Sequence, residues 1–235
     1  MLGKVTVLAW LLLGVAGVQQ PLRALPPILQ PQLHDGEQFR YQLTFDVRGG
    51  MSDRMEMPFT DSTIVQPGRP LAWTRRYTGG DRSGESFAFQ LDSSGNPINQ
   101  TLKAASADVT FLYNRELFGD PPASFALGST WQSRVTGPNP FGPPFGIIKV
   151  KVASIDAAKG LVVLAFAYDV DAHIRYPADH GEPSYSSHDV AKIIGSATFK
   201  NGIMTSLNSG GPNGHDLSNG NRITYTLKQT LTLLQ

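Results

Sequence analysis

No cysteine occurs among the 235 residues of this chain. The absence excludes disulfide bonds, thiolate metal sites, cysteine nucleophiles and a cysteine that would carry a lipid behind a leader peptide. Charge is also sparse, since 17% of the residues are charged and 20 basic side chains nearly balance 19 acidic ones. Because the net charge is so small and no long basic run occurs, nucleic acid is not an expected partner.

Long hydrophobic runs are missing except at the beginning of the chain. Lys4 precedes an apolar stretch, Val5 to Val18, which ends in small residues at Ala16 and Gly17. This layout is typical of a secretory signal peptide, and the apolar part is too short to span a bilayer comfortably. We therefore predict a signal peptide over 1–17, export to the periplasm or the exterior, and no integral membrane segment after cleavage. An uncleaved anchor is the alternative.

Glycine and proline are abundant, with 24 and 17 residues, and this composition favours strands joined by many turns over long helices. Residues 18–36 contain four prolines and no periodic pattern, so we predict an extended tether outside the core. The remaining residues, 37–235, have the length of one β domain.

Period-two alternation of apolar and polar residues dominates this domain, most clearly over 39–47 and 223–233. Such runs, separated by short turns, predict a mainly β fold with a single curved antiparallel meander of about ten strands. The sheet would form a half-barrel, a barrel or a sandwich. Residues near 106–118 have helical spacing and stop before Pro121, which predicts a short helix that caps the sheet.

The strand predicted over 161–176 changes in side-chain polarity along its length. Its even positions are apolar throughout, whereas its odd positions change from apolar to acidic, imidazole and guanidinium side chains. Carboxylate and imidazole groups are ligands for divalent metals. Side chains two residues apart lie about 7 Å apart, however, so a solvated strand face is the favoured interpretation. The metal hypothesis names Asp169, Asp171, His173, His180 and His188.

Aromatic residues indicate another candidate site. Trp73, Phe87 and Phe89 are expected on one face of the sheet, with Phe141 and Phe145 in a proline-rich loop near it. Aromatic side chains suit an adaptable apolar pocket. The alternative is that they form the ordinary core. The ligand hypothesis therefore assigns these five residues to contacts with a lipid or another apolar small molecule.

No catalytic motif is present. The serines of 184–187 lie near histidines in sequence, but no nucleophile-elbow pattern Gly-x-Ser-x-Gly occurs. His215 and Asp216 lie among glycine and asparagine residues, a composition that predicts a long hairpin loop. We predict no catalytic residue and no cofactor.

Two short elements carry a resemblance: Leu-Gly-Ser-Thr-Trp at 127–131, and Gly-Ser-Ala-Thr-Phe-Lys-Asn-Gly-Ile at 195–203. They are similar to recurring pieces of uncharacterised exported bacterial β-sheet proteins. The general plan, a signal followed by one long meander with a helix, resembles the half-barrel lipid carriers of the bacterial envelope. The resemblance implies an envelope location and an apolar ligand, and it carries over no catalytic residue.

The leading hypothesis is an exported, non-enzymatic binding or interaction protein. Its partner would be an apolar or amphipathic ligand, such as a lipid, or another envelope protein. One alternative is a metal-binding protein or metal-dependent hydrolase that uses the row of Asp and His residues. The other alternative is a structural envelope protein with no ligand.

Overall fold

The computed structural model describes the following residues: 24–34, 37–49, 53–64, 71–80, 83–91, 112–136, 145–176, 184–218 and 220–234. The side chains of 53–64 and of a few other strand positions are outside this description. The predicted signal peptide, Phe141 and His180 also lie outside the described residues.

The described fold is mainly β, which confirms the predicted class. The strands are β1 (Gln38–Arg48), β2 (Asp53–Ile64), β3 (Leu71–Tyr77), β4 (Ser86–Leu91), β5 (Thr130–Thr136), β6 (Phe145–Asp156), β7 (Leu161–Tyr176), β8 (Tyr185–Lys200), β9 (Ile203–Leu217) and β10 (Arg222–Leu234). Among the described residues, helix is limited to the turn α1 (Arg115–Phe118) and to 3-10 turns at Pro27–Leu29 and Ala157–Lys159. No helical segment of the described residues has the length and hydropathy that crossing a bilayer requires.

The strands form one antiparallel sheet in the order β4-β3-β2-β1-β10-β9-β8-β7-β6-β5. Two meanders, β1 to β4 and β5 to β10, join where β1 pairs with β10, with Tyr41 aligned to Leu233. Strands β4 and β5 are consecutive along the chain but form the two opposite edges. Within the described residues the sheet is therefore not closed into a barrel.

The capping helix predicted near 106–118 is not confirmed. The described part of this segment begins at Leu112, which forms an isolated antiparallel bridge with Ile203. The helical turn α1 follows, and its last residue, Phe118, is fully buried. Its ring packs edge-on against Phe166 of β7, with ring centroids 5.7 Å apart. The segment thus covers the sheet with little helix.

Alternation along each strand gives the sheet an inward face, which carries the core, and an outward face. Phe166 of β7 lies in an inward row between Val150 of β6 and Gly195 of β8. A Cβ atom on Gly195 would lie 2.5 Å from Phe166 Cζ, so the glycine makes room for the aromatic ring. Further core residues in the same part of the inward face are Leu164, Ala197, Leu207 and Leu231.

The proline-rich segment is part of the core, so the prediction of a tether outside the core is wrong for residues 24–34. Leu25 and Leu29 are buried in the main hydrophobic cluster. The 3-10 turn at Pro27–Leu29 packs against β7 and β8. The backbone N–H of Gln32 donates to the carbonyl of Asn201 at 3.2 Å, which attaches the segment to the β8–β9 turn.

Candidate functional site

Four hydrogen-bonded side chains cross the inward face of β8, β9 and β10. Asp189 is fully buried and accepts hydrogen bonds from the hydroxyl of Ser187 and from Nδ1 of His215, the latter at 2.8 Å. Nε2 of His215 lies 3.2 Å from the phenol oxygen of Tyr225. We call Ser187, Asp189, His215 and Tyr225 the polar chain. Its inner end, Ser187, is buried, and its outer end, Tyr225, is half-buried.

The strand register brings these residues together. Asp189 of β8 aligns with His215 of β9, so both side chains project from the same face as direct cross-strand neighbours. Tyr225 lies one row away on β10, opposite Asn213. The hairpin loop predicted around His215 is wrong, because β9 continues to Leu217 and pairs with strands on both sides.

Burial and charge distinguish the two ends of the polar chain. The side chain of Asp189 is 0% exposed and that of His215 is 20% exposed, while Tyr225 is half-buried. Burial raises the pKa of Tyr225 above its ordinary value of 10.0, and the negative charge of Asp189 raises it further. The phenol therefore stays protonated at neutral pH and can exchange hydrogen bonds with a bound group.

Asn213 extends the site on the inward face of β9. Its residue is 3% exposed, and its Nδ2 donates a long hydrogen bond of 3.5 Å to the carbonyl of Gly211. This bond orients the amide, and Oδ1 has no hydrogen-bond partner among the described residues. The structure thus leaves a buried acceptor unpaired at the position aligned with Tyr225.

The arrangement suits binding better than nucleophilic catalysis. The hydroxyl of Ser187 donates to Asp189 instead of to a histidine, so it lacks the serine–histidine contact that activates a serine nucleophile. Tyr225 contacts His215, but its raised pKa makes the phenolate harder to form. The geometry can hold and orient a polar group without reacting with it.

Several residues of the metal hypothesis lie together on the outward face. Nε2 of His188 is 2.8 Å from Asp171, and the ring of His173 stacks on that of His188 with centroids 4.6 Å apart. Asp169 is instead 3.6 Å from the ammonium group of Lys149. No group of three or more His, Asp or Glu side chains that could hold an ion occurs among the described residues.

Asp216, also on the outward face, is held by an arginine. Its carboxylate accepts two hydrogen bonds from Arg222, at 2.5 and 2.8 Å, and lies 3.9 Å from His188. The hydrogen bond from Arg222 is the main cause that holds the pKa of Asp216 below its ordinary value. The outward acids thus have cationic or imidazole neighbours already, as a solvated strand face requires.

The fold brings three of the aromatic residues of the ligand hypothesis together on β3 and β4 and places Phe145 apart from them. The backbone of Trp73 pairs with that of Phe89, and that of Phe87 pairs with Arg75. These positions alternate in phase with Arg75 and Tyr77, which are buried in the inward face. Phe145 is the first residue of β6, is 42% exposed and alternates with the inward residues, so it lies on the outward face.

An open groove of about 560 Å³ lies on the outward face across β5, β6 and β7. Ala165 and Ala167 form its floor, and Lys149 and Lys151 flank it. Its polar side chains are all exposed, and Lys149 already contacts Asp169. The groove therefore presents no polar group held in place by its surroundings, in contrast to the polar chain.

No family model matches this sequence, and no curated protein matches it. Support for a function therefore comes from the geometry of the inward face.

Proposed function

We propose that this chain is an exported, non-enzymatic protein that binds an amphipathic ligand on the inward face of its sheet. Along the same strands, the inward face has an apolar part and a polar part. One part is apolar and fully buried, and the other part contains the polar chain. A ligand with an apolar body and a polar head matches this division.

The burial of Asp189 is the observation that carries the proposal. A buried carboxylate costs several kcal/mol unless it is fully hydrogen-bonded, and a core needs none. Here the carboxylate anchors a series of side chains that leads through His215 to the half-buried Tyr225. Such a series holds its outer members in one orientation, which is what recognition of a polar group requires.

The body of the ligand would lie beside the polar chain. The inward residues next to it are apolar: Val170 on β7, Ala191 on β8 and Leu227 on β10. Beyond them, Leu29 and Phe118 already pack on the sheet. In the other meander, Trp73, Phe87 and Phe89 remain candidate contacts because their positions are in phase with the inward face.

A probe-displacement experiment tests the proposal. The neutral fluorophore N-phenyl-1-naphthylamine would be added to the purified protein and displaced with twelve-carbon amphiphiles of different head groups. Ala172→Phe adds a ring to an inward position aligned with Asp189 and should block binding. Ala167→Phe, at an equally half-buried outward position, is the control. If no amphiphile displaces the probe, or both variants bind like the original, the proposal is wrong.

Export is a separate part of the proposal and depends on residues 1–17. The full chain would be produced in a bacterial host, and the protein in the envelope fraction would be weighed by mass spectrometry. We expect a product that begins at Val18. An intact chain that stays in the cytoplasm would contradict this part and leave the binding proposal standing.

A further inference from the structure

We infer that the polar chain selects a head group that donates hydrogen bonds, and that an amphipathic primary amine is the matching class of ligand. The inference depends on the proposed function and adds the chemistry of the head group. It follows from the direction of the hydrogen bonds, from a second acceptor beside them and from the charge of the inward face.

The hydrogen bonds of the polar chain all point toward the buried carboxylate. A carboxylate only accepts, so Asp189 fixes the ring hydrogen of His215 on Nδ1. In the tautomer with its hydrogen on Nδ1, Nε2 accepts the phenol hydrogen of Tyr225, and the two atoms lie 3.2 Å apart. The lone pairs of the Tyr225 oxygen remain, so the outer end of the polar chain offers an acceptor.

Asn213 supplies a second acceptor at the cross-strand position aligned with Tyr225. It is aligned with Tyr225 across β9 and β10, and directly opposite side chains on one face lie about 5 Å apart at Cβ. Its Oδ1 is buried and has no hydrogen-bond partner among the described residues. Two neighbouring acceptors match a group with several N–H donors, such as an ammonium group.

The charge of the inward face on β8, β9 and β10, around the polar chain, favours a cation over an anion. Asp189 is the one carboxylate among the described inward residues of β8, β9 and β10, and none of these residues is Lys or Arg. An ammonium group near Tyr225 would be attracted by this partly desolvated charge, whereas a carboxylate head would be repelled.

The test compares ligands with one tail and three heads: dodecylamine, dodecanol and dodecanoate. The affinities measured by displacement of N-phenyl-1-naphthylamine at neutral pH should be highest for the amine and lowest for the carboxylate. The two affinities should differ by at least about tenfold. Equal affinities, or preference for the carboxylate, would overturn the head-group assignment while the proposed function stands. Failure of all three ligands would instead overturn the proposed function.

Two variants test which residues cause the preference for the amine. Tyr225→Phe keeps the ring and removes the acceptor oxygen, and Asn213→Ala removes the other acceptor. Each should reduce the affinity for dodecylamine about fivefold to tenfold and leave the affinity for dodecanoate nearly unchanged. Thr226→Val, next to Tyr225 but on the outward face, is the control. If both variants fold, as circular dichroism would show, and keep the full preference for the amine, the assignment is wrong.

Discussion

Asp189 and His215 form a hydrogen-bonded pair of 2.8 Å on the inward face, while the residue before Asp189 forms a pair of the same length on the outward face. That second pair joins His188 to Asp171. The two pairs contain the same chemical groups and lie on opposite sides of one sheet. They differ in burial, since the side chain of Asp189 is 0% exposed and that of Asp171 is 86% exposed.

Asp189→Asn should destabilise the protein strongly, because Ser187 and His215 both donate to Oδ1 of this buried carboxylate, and a neutral amide accepts more weakly and adds a buried NH₂ group that needs acceptors. We expect a loss of about 2–3 kcal/mol in the free energy of unfolding, measured by urea denaturation. Asp171→Asn removes the exposed partner of His188 and should change stability by less than about 0.5 kcal/mol. Equal losses in the two variants would contradict the assigned role of burial.

Alkaline pH should weaken the fold through two tyrosines. Burial raises the pKa of Tyr113 far above its ordinary value, and burial together with Asp189 raises that of Tyr225. The unfolded chain therefore loses these protons first, so the free energy of unfolding is intact below about pH 10 and falls as the pH rises further. Urea titrations at increasing pH measure the fall, and Tyr225→Phe should make it shallower. An unchanged slope in that variant would be the contrary result.

Gly195→Ala should be costly because the added methyl group has no space. Its Cβ would lie 2.5 Å from Phe166 Cζ and equally close to the carbonyl oxygen of Asn208. We expect destabilisation of about 1–3 kcal/mol, visible as a lower midpoint in urea. Gly214→Ala is the matched control, since its nearest neighbour is a methyl group of Val190 at 3.2 Å. The control should unfold close to the original midpoint.

Leu29→Ala tests whether the proline-rich segment belongs to the fold. Leu29 is fully buried in the main hydrophobic cluster, so its truncation should cost about 2–5 kcal/mol. Gln32→Ala changes an exposed side chain in the same segment and leaves its backbone hydrogen bond to Asn201 in place. Calorimetry or urea denaturation would compare the two. A negligible effect of Leu29→Ala would show that the segment does not contribute to the core.

The sequence was sufficient for the elements in which alternation decides which face is buried. The pattern over 161–176 coincides with β7, and its even positions are the inward ones, as in Leu164 and Phe166. The alternation over 223–233 likewise falls within β10, where Leu227 and Leu231 are buried. In these strands, the alternation of apolar and polar residues predicts directly which side chains the sheet buries.

The candidate site could not be found in the same way, because it depends on register between strands. His215 lies in a stretch with the composition of a turn, and pairing with β8 and β10 overrides that preference. Asp189 was in phase with Ile193 and Ala197, which was an available sign that it faces the core. Its partnership with a residue 26 positions away could be seen only in the folded sheet.

The pairing of β1 with β10 joins the two meanders through residues that are far apart in sequence. The phenol of Tyr41 in β1 donates to the carbonyl of Met204, 163 positions away in sequence, and β1 finds its second strand partner only in β10. Until β10 has been synthesised, one edge of β1 has unpaired N–H and C=O groups that other chains can bind. Closing so long a loop is slow compared with forming a local hairpin. We therefore expect the centre of the finished sheet to form after the local hairpins.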